Sequence, residues 1–211
     1  MKLYNYWRSS ASWRVRLALA LKNLPYEYVA VNLITGEQNS EAQRKRNPSG
    51  AVPVLELDDG TLLTQSVAIV EYLEETHAQG KLWPADPLGR ARVRMLVEQV
   101  NSGIQPYQIP ACANFVRDTY KGDEKLFVRH FIANGLDALE KLAAPHAGKY
   151  LYGDTVTFAD CCLVPQLLGA RRFEVPLGAY PTLTRVEAAL NALPAFIAAA
   201  PANQPDAPKA P

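Results

Sequence analysis

The chain has 211 residues, enough for one large or two small domains. Apolar residues make up 48% and charged residues 20%, an ordinary globular balance that excludes disorder over most of the length. Twenty-two Lys and Arg against 21 Asp and Glu leave a formal charge of +1, without the basic excess of a dedicated nucleic-acid or polybasic membrane protein.

Residues 2–6 alternate apolar and polar and predict a strand. Arg8 to Ser12 is a serine-rich turn, and Trp13 to Lys22 predicts a helix stopped at Leu24-Pro25. Residues 26–31 predict a second strand, so the chain has traced β-α-β, a crossover that pairs parallel strands. A polar loop over 35–40 and a short basic helix near 40–46 follow. Val52 to Leu57 is a strand that begins at a proline, and Thr61 to Thr64 pairs back across the Asp58-Asp59-Gly60 turn. Ser66 opens a helix through Glu75 as its N-cap.

Two prolines and a glycine between Gly80 and Pro87 predict a linker over 80–86. Strand signals then vanish. Val93, Leu96, Val97 and Val100 fall on one helical face, Leu126 to Leu142 repeats the period, and Thr157 to Asp160 has capping-box spacing. Leu183 to Leu193 is the last predicted helix, and 198–211, rich in Ala and Pro, is expected to be irregular. The expectation is an α/β domain over 1–79 and an all-helical domain over 87–211.

The cysteines are Cys112, Cys161 and Cys162, an odd number with no CxxC pair. This pattern disfavours a disulfide framework or a zinc site and fits reduced thiols in the cytoplasm. Met1 to Arg8 lacks the apolar run of a leader, and the longest uncharged runs are broken by prolines, so no membrane span is expected.

Ser9, Ser10 and Ser12 stand where a strand ends and a helix begins. Free N–H groups and the positive end of the helix dipole suit an anion there, a thiolate included, although the same serines also serve as plain caps. A hydroxyl that donates to a thiolate lowers its pKa, each unit being worth about 1.4 kcal/mol. Val52-Pro53 at a strand start has two readings, an edge position or a cis bond that offers Val52's backbone to a peptide-like ligand. Gln65-Ser66, at another helix N-terminus, suits a carboxylate.

The run Ser9-Ser10-Ala11-Ser12-Trp13-Arg14-Val15-Arg16 resembles the SSCSWRVR signature of zeta-class glutathione transferases, the maleylacetoacetate isomerases. The likeness continues through Asn47-Pro48, Val52-Pro53, Gln65-Ser66, Gly103-Ile104-Gln105-Pro106, Ala159-Asp160, Leu163 to Gln166, Arg172-Phe173 and Gln204-Pro205-Asp206. It implies a thioredoxin-like domain followed by a helical domain, a homodimer, and glutathione as cofactor. Ser9 would hold the thiolate with Ser10, Ala11 and Ser12 beside it. Gln38 and Val52 would meet the glutathione backbone, Gln65 and Ser66 its γ-glutamyl end, and Gln105 would complete the site. The implied reaction is isomerisation of maleylacetoacetate, a small dicarboxylate of tyrosine breakdown, by reversible thiol addition to its cis double bond. Arg8 and Arg172 are the candidate partners of its carboxylates. Maleylpyruvate isomerisation, transfer to α-haloacids and a non-catalytic binding module are the competing readings. Two departures stand out: Ala11 replaces the family's usual Cys, and Ile109-Pro110-Ala111 replaces a polar Asn-Leu-Ser stretch. No isomerisation by this chain can depend on a thiol at position 11.

Overall fold

The computed structural model describes residues 1–208, so the end of the tail expected to be irregular, 209–211, lies outside the described residues. Contacts divide the chain into two compact units. One is Met1–Lys81 together with the chain from Leu193 on, and the other is Leu82–Ala192.

In the first unit, β1 (Lys2–Asn5), β2 (Glu27–Ala30), β3 (Val54–Glu56) and β4 (Leu62–Thr64) form one sheet in the order β2-β1-β3-β4. β1 runs parallel to β2, and β1–β3 and β3–β4 are antiparallel. Helices α1 (Ser10–Leu21), α2 (Glu41–Arg46) and α3 (Ser66–Thr76) complete the crossovers. Leu3, Val15, Leu17, Leu55, Ile69, Val70 and Leu73 are wholly buried and form the core. α1 also buries Arg14, Arg16 and Lys22 beside it, which its apolar pattern does not announce. Lys22 Nζ is matched by the Glu74 carboxylate at 2.6 Å and the Gln79 carbonyl at 3.2 Å, so the charge is compensated.

The second unit contains α4 (Pro87–Asn101), α5 (Gln105–Gln108), α6 (Pro110–Tyr120), α7 (Glu124–Ala143), α8 (Phe158–Arg172) and α9 (Pro181–Asn191). Val93, Leu96, Val97 and Val100 of α4 are buried as their spacing predicts. α8 starts at a carboxylate hub, where Asp160 accepts the Thr157 N–H at 2.7 Å and the Leu151 N–H at 2.8 Å while fully buried. Burial raises the Asp160 pKa to about 6 against the pull of these donors.

Four expectations are corrected. α1 begins at Ser10, so most of the serine turn is helix. Ser66 is the first residue of α3 rather than its cap, which is Gln65, and its hydroxyl instead accepts from Arg14 Nη1 at 3.4 Å. Part of the linker is packed: Leu82 and Trp83 are buried, the Leu82 carbonyl accepts the Phe158 N–H at 3.0 Å, and Trp83 meets the Phe158 ring edge-on. The C-terminal segment is regular as far as Asn203 and is not part of the helical unit. It forms α10 (Pro194–Ala199) and a 3-10 turn (Pro201–Asn203) that pack with the first unit, because α10 lies against α1 and Arg16 Nε reaches the Ala199 carbonyl at 3.3 Å.

Candidate functional site

Strand register gathers the predicted residues of the first unit at one end of its sheet. The parallel strands β1 and β2 both finish there, one leading into the serine turn and the other into the polar loop. Tyr4 pairs with Val54 and Val54 with Thr64, so Val52 and Gln65 lie at that same end.

Ser9 is the N-cap of α1, in extended backbone, and its Oγ accepts the Ser12 N–H at 3.2 Å. The Trp13 N–H returns to the Ser9 carbonyl at 2.8 Å. The Ala11 N–H is thus a first-turn donor without an intrahelical acceptor. Ser12 itself is fully buried, with a hydroxyl that has no partner among the described residues. Arg8 is exposed, with its guanidinium 5.5 Å from the Trp7 ring centroid.

The Val52–Pro53 peptide is cis, one of the two readings of that dipeptide. Among the described residues Val52's N–H and C=O enter no backbone hydrogen bond, while the preceding Ala51 carbonyl accepts from Gln43 and Asn47. Gln65 holds φ 68° and ψ 117°, a conformation side chains avoid and one that concentrates at ligand sites. Its side chain is exposed and makes no cap bond, so the first N–H groups of α3 keep no internal acceptor. Gln38 lies on the 3-10 turn Glu37–Asn39, and its Oε1 is buried with no partner among the described residues.

In the helical unit, Gln105 opens α5 behind Ile104, which is fully buried against Gly135 of α7. Arg172 ends α8, exposed, its guanidinium 5.3 Å from the Phe173 ring centroid. It lines a cavity of about 260 Å³ with Gln108, Pro110, Lys125 and Arg129. Arg129 is committed to Glu174 at 2.6 Å and to the Phe173 carbonyl at 3.0 Å. Gln108 exchanges two amide hydrogen bonds, at 3.0 and 3.2 Å, with the buried Gln166 of α8. The sequence does not single out Gln108 on α5 or Lys125 and Arg129 on α7, because their place on one cavity wall comes from packing between helices that no local pattern encodes.

The glutathione S-transferase N-terminal domain family matches residues 3–81, and its C-terminal domain family matches residues 110–199. The probable maleylacetoacetate isomerase 2 of Drosophila melanogaster is 48% identical over 98% of this chain and 90% of its own. A maleyl pyruvate isomerase described as a bacterial glutathione S-transferase in zeta class superposes with a TM-score of 0.95 at 45% identity, over 99% of this chain and 100% of that one. The chain belongs to the zeta class of glutathione transferases. A further relative, maleylacetoacetate isomerase of Anaeromyxobacter dehalogenans 2CP-1, is 53% identical with a TM-score of 0.91, over 98% of this chain and 97% of that one. Its structures hold glutathione in the active site, and in another case dicarboxyethyl glutathione and citrate. Among the described residues no helix of this zeta-class chain is long and apolar enough to cross a membrane.

Proposed function

We propose that this protein is a glutathione-dependent isomerase that converts maleylacetoacetate to fumarylacetoacetate, a step of tyrosine breakdown. The observation that carries the reading is Ser9: its Oγ accepts a backbone N–H at the positive end of α1 and keeps its own proton to donate. The residues fit glutathione from end to end. Val52's unpaired N–H and C=O suit its peptide, the uncapped start of α3 with Gln65 and Ser66 suits its γ-glutamyl carboxylate, and the orphaned Gln38 oxygen suits an amide donor.

Glutathione supplies a thiol whose reversible addition to a conjugated cis double bond permits rotation, and which is released unchanged. Ser9 Oγ–H, with the Ser10 hydroxyl and the N–H groups of Ser10 and Ala11, holds the sulfur as thiolate. Arg8 and Arg172 bind the substrate's carboxylates and oppose the charge that develops on its carbonyl. Ala11 contributes only backbone.

The active form in this reading is a cytoplasmic homodimer. Exposed Leu88 and Met95, seven residues apart on α4, form an apolar stripe suited to a second subunit, and three free cysteines suit a reducing compartment. Light scattering that returns a monomer overturns the dimer.

Turnover of maleylacetoacetate with and without glutathione tests the function. Isomerisation only with glutathione, and without its net loss, is expected. The structural likeness to the zeta-class maleyl pyruvate isomerase favours maleylpyruvate as the second substrate, and activity on it alone reassigns the reaction while keeping the site. Glutathione consumption by an α-haloacid without either isomerisation replaces the reading with a transferase. Silence on all three leaves a binding module.

A further inference from the structure

The Gln204-Pro205-Asp206 run touches none of the groups assigned to glutathione, yet it reaches the turn that presents Ser9. Gln204 Nε2 donates to the carbonyls of Ala198 and Ala200, both at 2.9 Å, and so folds the chain back beyond α10. Asp206 Oδ2 then accepts the Trp7 N–H at 3.1 Å, and its Oδ1 accepts the Tyr28 hydroxyl on β2.

Arg16 meets the same turn from the other side. It is 1% exposed, and its Nη2 donates to the Trp7 carbonyl at 2.9 Å. Its Nη1 donates to the Tyr6 carbonyl at 3.3 Å and to Asn5 Oδ1 at 3.0 Å. Trp7 therefore has its N–H on a carboxylate and its C=O on a guanidinium. The Tyr6 carbonyl, which Arg16 also holds, accepts the Ser9 N–H at 3.0 Å and closes the turn.

We propose that Asp206 and Arg16 are positioning residues for Ser9: together they clamp the Tyr6–Ser9 turn so that the Ser9 hydroxyl meets the glutathione sulfur in one geometry. The proposal rests on the reading of Ser9 as thiolate donor. Such a clamp has a catalytic consequence because hydrogen bonds to a reacting atom tolerate little displacement. An error of about 1 Å costs up to about a hundredfold in rate, and supporting groups must hold geometry to about 0.5 Å.

The test uses Asp206→Ala, Asp206→Asn and Tyr28→Phe in the full chain. Melting temperature, glutathione affinity, the pH profile of kcat/KM and the ultraviolet thiolate absorbance of bound glutathione are measured on each. Asp206→Ala is expected to bind glutathione within about threefold of the parent while the bound thiol's pKa rises by about one unit, a loss of thiolate at neutral pH of up to about tenfold. Asp206→Asn keeps an acceptor for the Trp7 N–H and is expected to recover at least half of that shift. A folded Asp206→Ala with the parent's pH profile overturns the clamp, and so does an equal loss in Asp206→Asn. Where Asp206→Ala does not fold, Tyr28→Phe is expected to give a smaller upward shift, and no shift overturns the proposal. A parent protein that leaves the thiol pKa unmoved overturns the Ser9 reading and the clamp with it. Depression in the parent with unmoved variants overturns the clamp alone.

Discussion

Ser9→Ala separates two jobs that one oxygen performs. As N-cap, Ser9 Oγ accepts the Ser12 N–H at 3.2 Å, and its loss costs about 1 kcal/mol of stability. For a chain of this size that lowers the melting temperature by about 2–4 °C. As donor, the same hydroxyl faces a charged acceptor when glutathione is bound, an interaction worth about 1.5–3 kcal/mol. Its removal raises the bound thiol's pKa by about 1–2 units and cuts thiolate, and with it turnover at neutral pH, by up to about ten- to a hundredfold. The Ser10 hydroxyl and the first-turn N–H groups persist in the variant, so glutathione affinity falls far less than rate. The assay pairs thermal unfolding with the pH dependence of isomerisation and the thiolate absorbance. A variant that melts lower but keeps the parent's pH midpoint refutes the donor role and leaves Ser9 a cap.

Three further outcomes are expected. Gly135→Ala places a Cβ 2.2 Å from Ile104 Cγ1 and 2.7 Å from its Cδ1; it should lower stability by about 1–3 kcal/mol in urea unfolding, and an unchanged midpoint refutes the packing argument. Arg172→Ala removes a cation from the wall of the helical-unit cavity; steady-state kinetics should show KM for the dicarboxylate rising at least tenfold with glutathione affinity unchanged. Asp160 has a folded pKa of about 6, above its ordinary 3.8, so its protonated form favours the fold. That contribution, about 3 kcal/mol at most, is fully present below pH 3.8 and is lost as pH rises through about 6. The stability advantage of the parent over Asp160→Asn, from urea unfolding between pH 4 and 7, should therefore narrow as pH rises, and a constant difference refutes the assignment.

Local pattern was sufficient where the neighbours that decide a structure are close in sequence. The α4 stripe of Val93, Leu96, Val97 and Val100 is buried as its period requires, and the serine turn caps a helix as its composition requires. Pattern failed where the deciding partner is remote. The burial of Arg14, Arg16 and Lys22 is matched in part by Ser66, Ala199 and Glu74, 52 to 183 residues away, beside the nearer Tyr6 and Trp7 carbonyls that Arg16 also holds. The Ala- and Pro-rich end promised no structure, because the contacts that tie it down include the remote Arg16, Trp7 and Tyr28 besides its own Gln204. Gln65 conceals a positive φ that Gly or Asn would have advertised. The register that gathers Ser9, Val52, Gln65 and the Gln38 loop at one end of the sheet is a property of strand order, which no single segment encodes.

Helix ends also bear on the two departures from the family pattern. At position 11 a side chain is lost but no donor: Ala11 is the second residue of α1, and its contribution to an anion is the N–H of a first turn, which Cys and Ala offer alike. At Ile109-Pro110-Ala111, Ile109 is extended and Pro110 opens α6, where its missing N–H is one the helix would not have used. What that stretch loses is side-chain hydrogen bonding at a wall of the Arg172 cavity, which Pro110 lines. A less polar wall there leaves more of a substrate's orientation to Gln108, Asn114 and the cationic side chains that line the same cavity. The kinetic consequence is specific: Pro110→Ser should change the ratio of kcat/KM for maleylacetoacetate and maleylpyruvate while leaving the bound thiol's pKa unmoved, because the thiolate is governed from α1 and the substrate's tail from α6 and α8. A shift of the thiol pKa in that variant would show that the two functions are not separable in this way.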